Sequence, residues 1–227
     1  MRKIIIYVSG IDGCGKTTQA KILVEELRSL GYDAIYSWLR WEPSIANYIK
    51  FLRRFKSKNH ASASENNNRL VAENLQETEW LCFKRRLLAN RLFRRLWLFY
   101  ASIDYYLTYR KRFKTISSDI VVVDRYFYDF MIDQAVNLGL AADKCHEFGT
   151  GFFLSRFRKP DVSIIIDLPP DEGYKRKNDG TSVAYLETRK CFYDQLFPSN
   201  EAIHLNGSGS IDDLASQIKL YVIENIG

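Results

Sequence analysis

The run Gly10-Ile11-Asp12-Gly13-Cys14-Gly15-Lys16-Thr17-Thr18 fits the phosphate-binding pattern Gly-x-x-x-x-Gly-Lys-[Ser/Thr] at each fixed position. Glycines let a backbone curve closely around a phosphate, so that its amides and the N-terminus of the next helix point at the anion. The stretch from Gly10 to Thr18 is therefore the expected ATP site. Lys16 is expected to reach the β- and γ-phosphates, and the Thr17 hydroxyl to hold Mg²⁺. A second pair of interest, Asp124-Arg125, closes an apolar run. An acidic residue there, facing the loop, is where a further carboxylate for Mg²⁺ is expected. Arg125 beside it could grip an anionic acceptor with two parallel hydrogen bonds.

The elements that must position these residues can be read from the apolar pattern. Lys3 to Val8 is a short β-branched run ahead of the loop, and Ala20, Leu23, Val24 and Leu27 recur behind it at helical spacing. Four more runs read as strands: 33–37, 119–124, 161–167 and 202–205, the last followed by a helix from Ile211 to about Asn225. Continuous apolar strands separated by helices predict an α/β fold whose parallel sheet is covered on both faces. Ligands of such sheets bind beyond the carboxyl ends of the strands, where Asp12, Asp124 and Asp167 fall.

With 227 residues, 46% of them hydrophobic, the chain can bury a substantial core. No stretch approaches the roughly 20 apolar residues that span a bilayer. The four cysteines are scattered without a Cys-x-x-Cys pair, which argues against a zinc site or a disulfide framework. Met1-Arg2-Lys3 leads into the first strand without a signal-peptide cleavage site, and a cytoplasmic enzyme is the expectation. The net charge of +6 is uneven: residues 50–114 carry +11 and the remainder −5. In that segment Ile45, Ile49 and Leu52 suggest an amphipathic start just before and into it, 57–68 reads as a polar loop, and 70–114 as one or two long helices. Apolar and basic residues alternate from Trp80 to Phe99. The favoured reading is an amphipathic helix that covers the core and shows arginines to water; the functional alternatives are an anionic membrane surface, a nucleic acid backbone or a polyanionic acceptor, with nucleic acid not expected as a partner. Tyr126-Phe127-Tyr128 could stack on a base or sugar ring, or be core.

Taken in order, Ser9 to Gln19, Arg40-Trp41-Glu42-Pro43, Asp124-Arg125-Tyr126, Pro160-Asp161, Ile166 to Pro170 and Lys175-Arg176 resemble the thymidylate kinase family of P-loop nucleoside monophosphate kinases. The resemblance covers most of the chain outside 44–115. It implies a three-layer P-loop NTPase fold with a five-stranded parallel sheet. It implies one domain over 1–227, with a helical insertion at about 44–115 and a short lid at about 174–184. It also implies Mg-ATP as donor, a small-molecule phosphate acceptor and a homodimer. Carried over residue by residue, Asp12 contacts groups on the acceptor side, Arg40 and Arg125 bind the acceptor phosphate, and Gln134 lies near the base. Phe99 matches an acceptor-site aromatic in Leu98-Phe99-Tyr100-Ala101-Ser102, although Ile103 stands where the family usually has an arginine. Gly13 occupies the position where one branch carries a loop arginine, so a lid cation is required and Arg176 is the candidate. Catalytic roles therefore fall to Lys16, Asp12, Arg125 and Arg176, and acceptor binding to Arg40, Phe99, Arg125, Tyr128, Asp129 and Gln134. Asp129 replaces the family's usual Ser; it could accept from sugar hydroxyls, deprotonate an alcohol, or cap the helix beginning near Phe130. The expected reaction moves the γ-phosphate of ATP to a nucleoside monophosphate, dTMP foremost. A sugar, glycan or lipid-linked acceptor is the first alternative, and a nucleic-acid-binding ATPase the second.

Overall fold

The computed structural model describes residues 2–44, 90–140, 156–177, 181–198 and 201–226. The five apolar runs form strands β1 (Ile4–Gly10), β2 (Ala34–Trp38), β3 (Ile120–Asp124), β4 (Val162–Asp167) and β5 (Ile203–Asn206). They make one sheet in the order β2-β3-β1-β4-β5, every neighbouring pair parallel. Central strands of such a sheet are covered on both faces, and Ile5 to Val8 and Val121 to Val123 are fully buried. Among the described residues six helices accompany the sheet: α1 (Lys16–Ser29), α2 (Arg91–Thr115), α3 (Phe127–Asn137), α4 (Pro170–Arg176), α5 (Val183–Leu196) and α6 (Ile211–Ile226). α1 packs on α6 and on β1 and β3, whereas α3 and α5 pack on each other. The face of β1 that carries Tyr7 and Ser9 meets α3 and α5.

The register fixes where the chemistry gathers. Val8 and Trp38 both pair with Asp124, and Gly10 pairs with Ile166. The ends of β1, β2 and β3 therefore lie at one edge of the sheet, and the glycine loop leaves from that edge.

The chain divides into two compact units, Met1–Arg40 with Lys111–Gly227, and Trp41–Arg110. In the second, Asp104 accepts from Trp41 Nε1 and Ser44 N, each at 3.0 Å, and the Trp41 and Trp97 rings meet edge-on. The expected elements at 45–68 and the basic stretch 80–89 lie outside the described residues. In the described continuation, Leu92, Phe93, Leu96 and Phe99 are exposed alongside Arg91 and Arg95. Among the described residues no helix is long and apolar enough to cross a membrane.

Candidate active site

The loop between β1 and α1 is shaped by glycines at the positions where a side chain would collide. Gly10, at φ 146°, would place a Cβ 2.4 Å from the Ile166 carbonyl oxygen. Gly13, at φ 87°, would place one 2.4 Å from the carbonyl oxygen of Gly173 in α4, and Gly173 would return one 2.8 Å from Asp12 O. The loop and α4 thus touch backbone to backbone, which explains why position 13 holds no arginine. Gly13→Ala is expected to cost about 1–3 kcal/mol by overpacking. A thermal melt reads this, and an unchanged transition would contradict the contact. Gly15, at φ 88°, turns the chain into α1 at Lys16. Ile11 and Cys14 are buried beneath the loop.

Lys16 is 6% exposed, and its ammonium donates to Ile11 O at 3.0 Å and Asp12 Oδ1 at 3.4 Å. The same oxygen takes Arg125 NH2 at 2.5 Å and lies 3.9 Å from Lys177 Nζ. Burial pushes the Asp12 carboxyl up, but Lys16 and Arg125 outweigh it and hold it well below the ordinary carboxylate range. A cavity of about 290 Å³ opens here, lined by Asp12, Gly13 and Gly15 to Thr18 from the loop and by Trp38, Arg40, Arg125 and Lys177. Three cations therefore meet one loop carboxylate, and Arg40 adds a fourth to the lining, in a space suited to phosphate groups.

Asp124 is fully buried at the end of β3. Its Oδ2 accepts from Thr17 Oγ1 at 2.5 Å and from Tyr36 OH at 2.9 Å. Its Oδ1 is buried without a hydrogen-bond partner among the described residues. A hydroxyl and a carboxylate side by side, with one carboxylate oxygen left over, fit the oxygen-rich shell that Mg²⁺ takes. Tyr36 was not singled out from sequence, and it restrains the carboxylate from the neighbouring strand. Tyr36→Phe is expected to raise the Mg²⁺ concentration for half-maximal turnover several-fold, roughly the worth of one hydrogen bond to a charged group. A metal titration at saturating nucleotide reads it, and an unmoved midpoint would remove Tyr36 from this role.

Arg125 follows Asp124 at φ 66°, a left-handed conformation that costs a non-glycine residue about 1–2 kcal/mol. The guanidinium, 6% exposed, lies between Asp12 and Asp129, with NH1 4.0 Å from Asp129 Oδ1. Asp129 corrects the sequence expectation. It is 1% exposed and accepts from Tyr7 OH and Ser9 Oγ at 2.8 Å, from Tyr193 OH at 2.6 Å and from the Tyr126 amide at 2.8 Å. Four donors occupy its two oxygens, so it is taken up by the core, and from the third position of α3 it receives the amide of the N-cap residue Tyr126. Burial raises its pKa, but Arg125, the Tyr193 hydroxyl and Arg189 outweigh that and lower it.

The remaining expected residues are scattered. Arg40 lines the pocket, with Nε 4.0 Å from Asp133 Oδ2. Tyr128 is packed among Phe127, Phe197 and Tyr7, and burial with nearby Glu201 pushes its hydroxyl up to about 12. Its ring is half-buried against these aromatics. Gln134 is 2% exposed on α3. Phe99 belongs to the Trp41–Arg110 unit and is 56% exposed. Arg176 does not line the pocket: it donates to Gly207 O at 2.8 Å and pairs with Glu172. Lys177, one residue on, is the cation that reaches Asp12. Arg189, Tyr193 and Trp38 were also missed; Tyr185, Arg189 and Tyr193 sit at helical i, i+4 spacing, the one signal available.

The family model described as thymidylate kinase matches residues 8–218. The chain belongs to the thymidylate kinase family. A thymidylate kinase of Caldanaerobacter subterraneus subsp. tengcongensis is 31% identical over 182 residues, 78% of this chain and 70% of the relative. A probable thymidylate kinase of Thermococcus onnurineus is 30% identical over 77% of this chain and 71% of its own. Another, of Pyrococcus horikoshii, is 27% identical over 96% and 95%. A thymidylate kinase-like phosphotransferase agrees with the P-loop geometry, and Asp129, which could have deprotonated an alcohol acceptor, is occupied by its neighbours.

Proposed function

We propose that this chain transfers the γ-phosphate of Mg-ATP to dTMP. The observation that carries the reading is Arg125, held in a strained backbone at the strand edge and tied to Asp12 of the phosphate loop, opposite Lys16. Phosphoryl transfer is helped chiefly by fixed positive charge around the migrating group. Lys16 supplies it from the loop and Lys177 from the end of α4, while Arg40 and Arg125 hold the acceptor phosphate. Asp12 orients three of these cations through one oxygen. No general base is needed, because an acceptor phosphate is already ionised at neutral pH, and the depressed Asp12 would be a poor one. Thr17 and Asp124 would hold Mg²⁺, which when bound neutralises charge on the β- and γ-oxygens.

An ADP-release assay with Mg-ATP and a panel of dTMP, dUMP, UMP, CMP, AMP and GMP tests the reading. Turnover on dTMP well above the others is expected; turnover on none of them overturns it. Arg125→Ala is expected to raise the dTMP KM by roughly 30-fold or more, the low end for truncating a buried charge partner. The ATP KM should stay within about two-fold, since uniform donor binding is untouched. An unchanged dTMP KM would take Arg125 out of the acceptor site.

A further inference from the structure

Arg189 lies on α5, is absent from the pocket lining, and is 1% exposed. A guanidinium buried this deeply is costly unless its charge is matched. Two carboxylates of α3 match it. NH1 donates to Asp133, and NH2 lies 4.0 Å from Asp129 Oδ1. The hydroxyls of Tyr185 and Tyr193 each accept from it at 3.2 Å.

Each of those carboxylates also faces an arginine of the phosphate pocket. Asp133 Oδ2 is 4.0 Å from Arg40 Nε, and Asp129 Oδ1 is 4.0 Å from Arg125 NH1. Arg40 and Arg125 arrive from the ends of different strands, and Arg189 touches the carboxylates behind both. At 4.0 Å these contacts are attractive without being hydrogen bonds, so both guanidinium groups are drawn toward α3 yet keep donors for a ligand.

We propose that Arg189 is a positioning residue that sets how far Arg40 and Arg125 reach into the phosphate pocket, by sharing their two carboxylates. Without it, Asp129 and Asp133 have only the pocket arginines as cationic partners, and they draw them back from the acceptor phosphate. A planar fork spans both carboxylates; an ammonium, as a point charge, serves one at a time. The inference rests on the reading of Arg40 and Arg125 as acceptor-phosphate ligands.

The test is steady-state kinetics on the full chain with Arg189→Lys, Arg40→Ala and the double variant, varying dTMP and ATP separately. Arg189→Lys is expected to raise the dTMP KM about 10-fold while kcat and the ATP KM stay within about two-fold, a coupling of ordinary size for residues in one network. Combined with Arg40→Ala, it should add much less than its effect alone. A wild-type dTMP KM, equal loss toward both substrates, or strict additivity overturns the proposal. If Arg40→Ala and Arg125→Ala both leave the dTMP KM unchanged, the acceptor reading fails instead. Should a thermal melt show Arg189→Lys unfolded, Asp133→Asn is used instead: it removes the carboxylate that pulls on Arg40 and takes one partner from Arg189. The dTMP KM is then expected to stay at or below the wild-type value, and a selective rise overturns the role.

Discussion

Lys16→Ala is expected to reduce kcat by at least about 100-fold, and by up to about 1,000-fold, the usual cost of one preorganised charge donor at a transferring group. The side chain is already anchored, donating to Ile11 O and Asp12 Oδ1 while 6% exposed. A cation held in place before reaction requires no reorganisation during it, which is why its loss falls on the chemical step. Folding should be little affected, because the aliphatic stem leaves from the first residue of α1. The measurement is ADP release at saturating ATP and dTMP, with a melt to confirm the fold. A kcat within tenfold of wild type would show that Lys177 and the arginines suffice.

Asp129→Asn is expected to destabilise the protein by about 3–5 kcal/mol at neutral pH, a large part of the total stability of an ordinary domain. The amide loses the charge that compensates Arg125 and Arg189, both nearly fully buried, and presents two N–H groups to hydroxyl and amide donors. Urea unfolding reads the loss. The pH dependence gives a second reading. The native pKa of Asp129 lies below that of an unfolded aspartate, about 3.9, so its stabilisation is complete above that value. It is lost as pH falls below about 4 through the native value, because the unfolded chain then binds the proton first. The variant should therefore show a flatter stability curve in the acid range than wild type. A shared slope would mean that Asp129 is not the group linking acid to unfolding.

The central strands β1, β3 and β4 were legible because they are largely apolar, β-branched runs in a sheet covered on both faces, and the phosphate loop because its glycines are demanded by backbone contacts. Contacts made across elements were not legible. Lys175, Arg176 and Lys177 form one basic cluster in sequence, yet α4 ends at Arg176 and Lys177 leaves the helical conformation, at φ −131° and ψ 88°. That change of backbone sends the last cation to Asp12 and leaves Arg176 at Gly207. Tyr36 meets Asp124 only because β2 pairs with β3, which neither strand announces alone. Asp129 offered both a capping and an acceptor reading; the hydroxyls of Tyr7, Ser9 and Tyr193 decided between them from other elements.

The left-handed backbone at Arg125 bears on any attempt to make this protein more robust. Among replacements that give up the guanidinium, glycine alone accepts φ 66° without steric penalty. A directed-evolution screen scored on solubility or heat tolerance would therefore rank Arg125→Gly above Arg125→Ala. Under the proposed function, the variants it kept would have lost a ligand of the acceptor phosphate. Screening at this edge of the sheet has to carry a turnover readout beside the folding one.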